Sequence, residues 1–277
     1  MTEATQNDQS AHPPSWDARV ADYEADAEPL TRYFAEAALA LAGGVVPGER
    51  VLDVAAGTGA LTLVAARVGA RVLGIDFLPG MIARLSARLL EECHADCEAR
   101  VMDGQALELP DGSFDAAFSI FGVMLFPDWR RGLAELARVT RHGGRVIVAV
   151  WASDFGGGPT PVFMEASRRA FPDVSIPPPS AGMSHLKDPL TLTEELRAVG
   201  LSDVKVSNVD GMWSEPSKDW LIHNLDRLFG SMPFYARLDD ADRKRLRIAL
   251  TETLSAYATP EGVCVPTTAL VGIGRRL

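Results

Sequence analysis

The chain has 277 residues, 47% of them hydrophobic and 23% charged, with a formal net charge of −10. That size and balance suit one large α/β domain, or a core carrying insertions, and an acidic surface disfavours sequence-independent binding to phosphate backbones. Three cysteines (Cys93, Cys97, Cys264) make a poor disulfide framework and no apolar stretch reaches a bilayer span of ~20 residues, so the expected setting is the reduced cytoplasm, without membrane or nucleic-acid partners.

The first stretch, MTEATQNDQSAHPP at 1–14, has no basic n-region or apolar h-region, and reads as a disordered tail rather than a signal peptide. Residues 15–277 read as a single domain. A helical pattern over 16–42 contains an Ala-rich stretch from Phe34 to Leu41, stopped by Gly43-Gly44. Strands and helices then alternate: strand 51–55, helix 59–68, strand 71–76, helix 79–93, strand 99–103, strand 114–121, helix at about 128–141, and strand 145–151 after a turn at Arg141-His142-Gly143-Gly144. Short apolar strands alternating with amphipathic helices predict parallel βαβ units in a doubly wound sheet. Cys93, His94 and Cys97 fall on or beside one of these helices and lack the paired four-ligand spacing of a structural zinc site, so no metal is expected.

After this core, at about 43–152, the pattern changes. Residues 154–189 are rich in Gly and Pro, and read as an inserted lid. A helix at 191–199 leads into strand 203–209, residues 216–258 are helical, and 267–276 reads as a closing strand. The second lid insertion is expected at about 211–258.

The stretch VLDVAAGTGALT, 51–62, carries the first chemical signal. A glycine turn from strand to helix lets a ligand approach the backbone with no Cβ in the way, and the N–H groups at the helix start then face it. Dinucleotides and S-adenosylmethionine are both bound this way. Gly57 and Gly59 fit the dinucleotide fingerprint, but its third glycine is Thr62 here. Asp76 ends the second strand, where an acid is placed to accept ribose hydroxyls, and Asp103 ends the third, beside Gly104.

With the stretches VLGIDFLPGMI, ARVMDGQALELPDGSFDAAFS and LAELARVTRHGGRVIVAVW added, the sequence resembles the class I S-adenosylmethionine-dependent methyltransferases, most closely the small-molecule branch related to ubiquinone and menaquinone biosynthesis. The resemblance covers about residues 45–152. It implies a Rossmann-like, mostly parallel seven-stranded sheet with an antiparallel last strand, and S-adenosyl-L-methionine as cofactor. It also implies roles by position. The turn Ala55, Ala56, Gly57, Thr58 and Gly59 packs on the methionine and ribose part. Asp76 holds the ribose hydroxyls, flanked by Phe77 and Met81 about the adenine. Asp103 accepts the adenine amino hydrogen, with Gly104 and Gln105 on its edge. Ser119, Ile120 and Phe121 border the sulfonium. Two departures stand out: Ala55-Ala56 replace the usual Gly or Cys, and Met124 and Leu125 replace a polar pair found in many relatives.

Methyl transfer needs positioning and a dry site, and needs a base only where the acceptor must lose a proton. Of the histidines, His185 is the best candidate for a polar or catalytic contact with substrate. Trp16 and Tyr23, seven apart on the N-terminal helix, together with Trp151 and Phe163, are expected to line an apolar acceptor pocket. The expected function is methyl transfer to a small, apolar or aromatic metabolite at O, N or C. Two alternatives stay open, a catalytically silent cofactor-binding partner subunit and a nicotinamide-dependent oxidoreductase. A homodimer is a further possibility.

Overall fold

The computed structural model describes residues 20–174, 178–230 and 232–277. The expected tail and Trp16 lie outside them. The elements run α1 (Val20–Asp26), α2 (Glu28–Leu41), β1 (Arg50–Val54), α3 (Thr62–Arg67), β2 (Arg71–Asp76), α4 (Pro79–Glu91), β3 (Glu98–Val101), β4 (Phe114–Ile120), α5 (Trp129–Val139) and β5 (Thr140–Trp151). Then come α6 (Thr160–Ala170), α7 (Ala181–Leu186), α8 (Pro189–Ala198), β6 (Leu201–Glu215), α9 (Lys218–His223), α10 (Leu225–Phe229), α11 (Pro233–Ala236), α12 (Asp240–Leu254), the short β7 (Ala258–Thr259) and β8 (Gly262–Arg276).

The sheet order is β3-β2-β1-β4-β5-β8-β6, with β7 paired to β8 off this path. β1 to β5 are parallel; β8 is antiparallel to both β5 and β6. Strand order reverses at β1, where the chain winds first toward β3 and later toward β5. Right-handed crossovers then place helices on both faces and open a crevice over the C-terminal ends of β1 and β4. The central strands are apolar throughout because both faces are covered: Val51, Leu52 and Val54 of β1 and Ala116, Ala117 and Phe118 of β4 have no exposure. Asp128, Asp188 and Asp239 start α5, α8 and α12 by accepting the backbone N–H three residues on.

Four boundaries differ from expectation. The helical pattern over 16–42 is broken at Ala27, because Pro29 cannot continue a preceding helix. The expected turn at 141–144 lies within β5, which shifts register against β4 between Phe114 and Ala116. β6 and β8 are far longer than the strands expected at 203–209 and 267–276, since they pair with each other as far as Glu215–Val263. Residues 211–215, expected to start a lid, are therefore strand.

That pairing carries β6 and β8 beyond Trp151, the end of β5, which sits opposite Ala269. The overhang supports a second core, built from Val162, Phe163, Leu221, Leu225, Phe229, Tyr235, Leu246 and Leu250 on α6 and α9–α12. The larger core surrounds the sheet.

Candidate functional site

The glycine turn is assembled by buried polar groups. At the end of β1 the chain turns with Ala55 at φ 60°, then Gly57 at 55° and Gly59 at 105°. The left-handed region costs an alanine roughly 1–2 kcal/mol, so surrounding contacts must hold Ala55 there. Ala56 N donates to Ile75 O at 2.8 Å, which fastens the turn to β2. The Asp76 carboxylate accepts from Gly57 N through one oxygen and from Leu78 N through the other, both at 2.9 Å. The acid expected to hold a ribose thus also fixes the turn beside it.

Asp53 is buried one residue before Val54. Its carboxylate accepts from the Thr62 hydroxyl at 2.7 Å and from Thr62 N at 3.1 Å. Burial pushes its pKa up to about 7; the two Thr62 bonds pull downward, and nearby Asp76 adds to the rise. Thr62, which stands where a dinucleotide fingerprint has its third glycine, is the partner that starts α3 over this carboxylate.

The crevice walls are aromatic. An ideal Cβ at Gly57 would lie 3.5 Å from the Tyr23 ring, so α1 lays a phenol over the open face of the turn. Burial, then the charges of Glu28, Asp76 and Asp53, push the Tyr23 phenol up to about 12, against a bond with Thr31. At neutral pH that phenol is a donor, not a base. Phe121, at φ 59° just past β4, stacks on Trp151 at 3.7 Å and 8°. Phe34 of α2 meets both rings edge-on, at 5.5 and 5.2 Å.

The adenine-side residues gather along the same strand ends. Phe77 is 43% exposed beside Asp76, and Met81 is buried on α4. Asp103 accepts from Gln105 N at 2.8 Å and from the Gln105 amide at 3.1 Å. Gly104 has no room for a side chain, since a Cβ would come within 2.6 Å of Phe126. Ser119 is buried and accepts from Val123 N at 3.0 Å, which shapes the bend after β4. Ile120 is core.

Two residues expected to contact the acceptor have partners within the protein. Phe163 is fully buried in the second core, stacked on Phe229 at 3.9 Å, because α6 turns its apolar face to α10 and α12. His185 bonds Glu195 at 2.8 Å, and its ring lies 5.0 Å from that of Trp129 at the start of α5. Sequence reasoning missed Glu28 and Arg88, which hold Thr58 from two sides. Thr58 donates to Glu28, and Arg88 donates to Glu28 at 2.6 Å and to Thr58 O at 2.9 Å. The signal was available as an acid in the first turn of α2 and an arginine on α4. Spacing alone does not say that these two helices meet. Among the described residues, no group of three or more His, Cys, Asp or Glu is placed to hold a metal ion.

A glycine turn at the switch point of a doubly wound sheet, an acid ending β2 and an antiparallel strand between β5 and β6 define a Rossmann-like nucleoside-binding fold of the methyltransferase kind. A family model described as a methyltransferase domain matches residues 52–148. Demethylmenaquinone methyltransferase of Renibacterium salmoninarum is 35% identical over 177 residues, covering 61% of this chain and 73% of that protein. Uncharacterized proteins of Mycobacterium tuberculosis and Mycobacterium bovis are 40% identical over 116 residues, and the match spans only 42% of their length. In fold, the chain is similar to Haemonchus contortus phosphoethanolamine N-methyltransferase 2 in complex with S-adenosyl-L-methionine, with a TM-score of 0.59 at 16% identity, over 100% of this chain and 61% of that one. The chain belongs to the class I S-adenosylmethionine-dependent methyltransferases, in the menaquinone-like branch. The cofactor that goes with this family is S-adenosylmethionine, which replaces the nicotinamide alternative.

The residues present fit that cofactor. Gly57 brings no Cβ into the turn, the Asp76 carboxylate ends β2 beside it, and Phe77, 43% exposed, offers an adenine a ring to pack on.

Proposed function

We propose that this protein transfers the methyl group of S-adenosylmethionine to a small, apolar or aromatic acceptor, with a reduced quinone-like ring as the first candidate. The observation that carries this reading is the meeting of two layers over β1 and β4: the Asp76-anchored glycine turn, and the Phe34–Phe121–Trp151 aromatic cluster beside it. The quinone-like choice draws on the demethylmenaquinone methyltransferases among the relatives.

The cofactor supplies a methyl group made electrophilic by a positive sulfur. The chain's own residues bind, orient and dry the site. Asp76, Phe77, Met81, Asp103, Gly104 and Gln105 hold the nucleoside, and the 55–59 turn holds the amino-acid end. Ser119, Ile120 and Phe121 border the reacting carbon. Tyr23 donates rather than accepts a proton. His185 is engaged with Glu195, so we assign it no catalytic role. The acceptor therefore brings its own nucleophilicity, as an ionised hydroxyl, an electron-rich carbon or an amine, and in-line positioning supplies the acceleration.

The helices α6–α8 and α9–α12 serve as the lid. In support, the β6–β8 overhang raises the second core past the C-terminal end of β5, and Arg227 of α10 reaches Asp26 of α1. The test is incubation with S-adenosylmethionine and a panel of quinols, phenols and amines, reading S-adenosylhomocysteine release and product mass. The expected result is a methylated quinol or phenol. Tight S-adenosylhomocysteine binding with no product from any acceptor favours the silent partner subunit instead.

A further inference from the structure

The N-terminal helices are joined to α4 by a ladder of charge. Arg84 binds Glu24 through two nitrogens, at 2.7 and 2.8 Å, and reaches Glu91 at 3.0 Å. One turn further along α4, Arg88 binds Glu28 at 2.6 Å and lies 3.8 Å from Glu24. The spacing is four residues on each side, so the two rungs stack along both partners even though α1 and α2 are separated at Ala27. Bidentate Arg–carboxylate geometry is among the stronger ion-pair arrangements, and these side chains are shielded: exposure falls from 32% and 28% at Arg84 and Glu24 to 11% and 3% at Arg88 and Glu28.

The ladder ends on the glycine turn. Arg88 donates to Glu28 and to Thr58 O, while the Thr58 hydroxyl donates back to Glu28. Tyr23, one residue before the first rung, is the ring that covers Gly57. Helix–helix packing alone would be met by apolar contacts. Instead both arginines are spent where the first helices meet the cofactor turn.

We infer that Arg84 and Arg88 are positioning residues for the cofactor, which clamp α1 and α2 over the glycine turn and so set the rate at which the cofactor leaves. The inference rests on the cofactor reading above and adds the residues that govern release. In a closed clamp Tyr23 and Thr58 are fixed. To let the nucleoside out, α1 must lift, and the outer rung must break first.

The test has two readouts. In the ligand-free protein, hydrogen exchange of α1 amides and of residues 57–59 should speed up about three- to tenfold in Arg84→Gln, the scale of one well-formed, partly exposed ion pair. With S-adenosylhomocysteine as probe, its dissociation rate should rise by a similar factor, and association should change less. Arg84→Lys should recover part of the effect, since it keeps the charge but loses the fork. Raising NaCl from about 0.05 to about 0.5 M should speed release in the wild type and much less in Arg84→Gln. The double variant Glu28→Gln/Arg88→Gln removes the inner rung without leaving a buried charge unpaired, and should release fastest. Arg169→Gln, which breaks the remote Glu165–Arg169 pair on α6, should change neither readout. Unchanged α1 exchange in Arg84→Gln overturns the clamp. Faster exchange with an unchanged dissociation rate overturns its role in release. A wild type that binds no S-adenosylhomocysteine defeats the cofactor reading instead, and the exchange measurement still decides the clamp.

Discussion

The sheet core and the helical core are equally free of exposed interior residues, but they bury different polar groups. Around the sheet, the buried polar residues include three carboxylates, Glu28, Asp53 and Asp76, all within the network of the glycine turn. In the helical core they include Ser167 and Thr253, whose hydroxyls return to the helix carbonyls of Phe163 and Ala249, and Tyr235, whose hydroxyl donates to Asp226 at 2.9 Å. A hydroxyl bonded to its own helix asks nothing of the rest of the fold. A buried carboxylate must be met by donors from several elements, and chains keep such groups where the charge is used. One core is thus a shaped solid, and the other is a solid with a site built into its edge.

If this contrast is right, the largest loss of stability should come from the helical core with the least effect on ligand binding. Phe163→Ala removes a ring stacked on Phe229 and should cost about 3–5 kcal/mol in urea unfolding. Affinity for S-adenosylhomocysteine, measured by calorimetry on the folded fraction, should stay within about threefold. A collapse of affinity would show the two cores to be one cooperative unit.

Asp76→Ala should do the reverse. It takes away a charged acceptor, worth about 1.5–3 kcal/mol, so affinity should fall roughly ten- to a hundredfold. Because Gly57 N and Leu78 N lose their partner too, amide exchange at those two positions should rise. Undiminished binding by a folded variant would put the ribose elsewhere.

Gly122→Ala probes the close approach of two strand ends. A Cβ there would lie 2.3 Å from the Ala55 Cβ, and Ala55 is held in a left-handed turn and has no flexible end to move. About 1–3 kcal/mol of destabilisation is expected from thermal unfolding. A neutral result would mean that the turn between β1 and α3 is softer than its hydrogen bonds imply.

The smallest effect is a slope. Asp53 has a folded pKa of about 7, above the ordinary carboxyl value of roughly 4. The folded state therefore holds a proton that the unfolded state has released. Its contribution is fully present below about pH 4 and is lost as pH rises through about 7, at up to about 1.4 kcal/mol per pH unit. Measured across that window, the wild type should lose stability relative to Asp53→Asn as pH rises from about 4 to about 7. Parallel curves would mean that the Thr62 bonds keep Asp53 ionised.

The two regions also differ in how much their sequence discloses. From Val51 to Trp151, each strand is short, apolar and closed by a turn residue, so element order, the parallel sheet and the candidate cofactor residues could be read directly. The glycine turn and Asp76 are written in local spacing, so they stand out as candidates before any fold is known. Glu28, Arg88 and Thr58 are brought together from three separate elements, so nothing nearby in the sequence marks them. The protein partners of Phe163 and His185 were hidden for a related reason. An aromatic on an amphipathic helix looks the same whether its apolar face meets a ligand or another helix. A histidine beside a proline-rich loop gives no sign of the glutamate ten residues on that will hold it. β6 and β8 were cut short because alternating polar residues in an overhanging two-stranded arm resemble loop more than sheet.

That arm has a consequence for how the molecule is made. β6 joins the sheet only through β8, yet β8 follows it in the chain after the whole of α9–α12. While the chain is being synthesised, β5 stands as an unfinished edge and β6 has nowhere to dock. Pairings this distant in sequence form slowly, because a long loop must close before the ladder rewards it. The helices of α9–α12 are that loop. Their collapse into a core brings β8 back beside β5, so completion of the sheet and folding of the helical region are one event. Until then, the open β5 edge is the place where a nascent chain is most exposed to pairing with a neighbour.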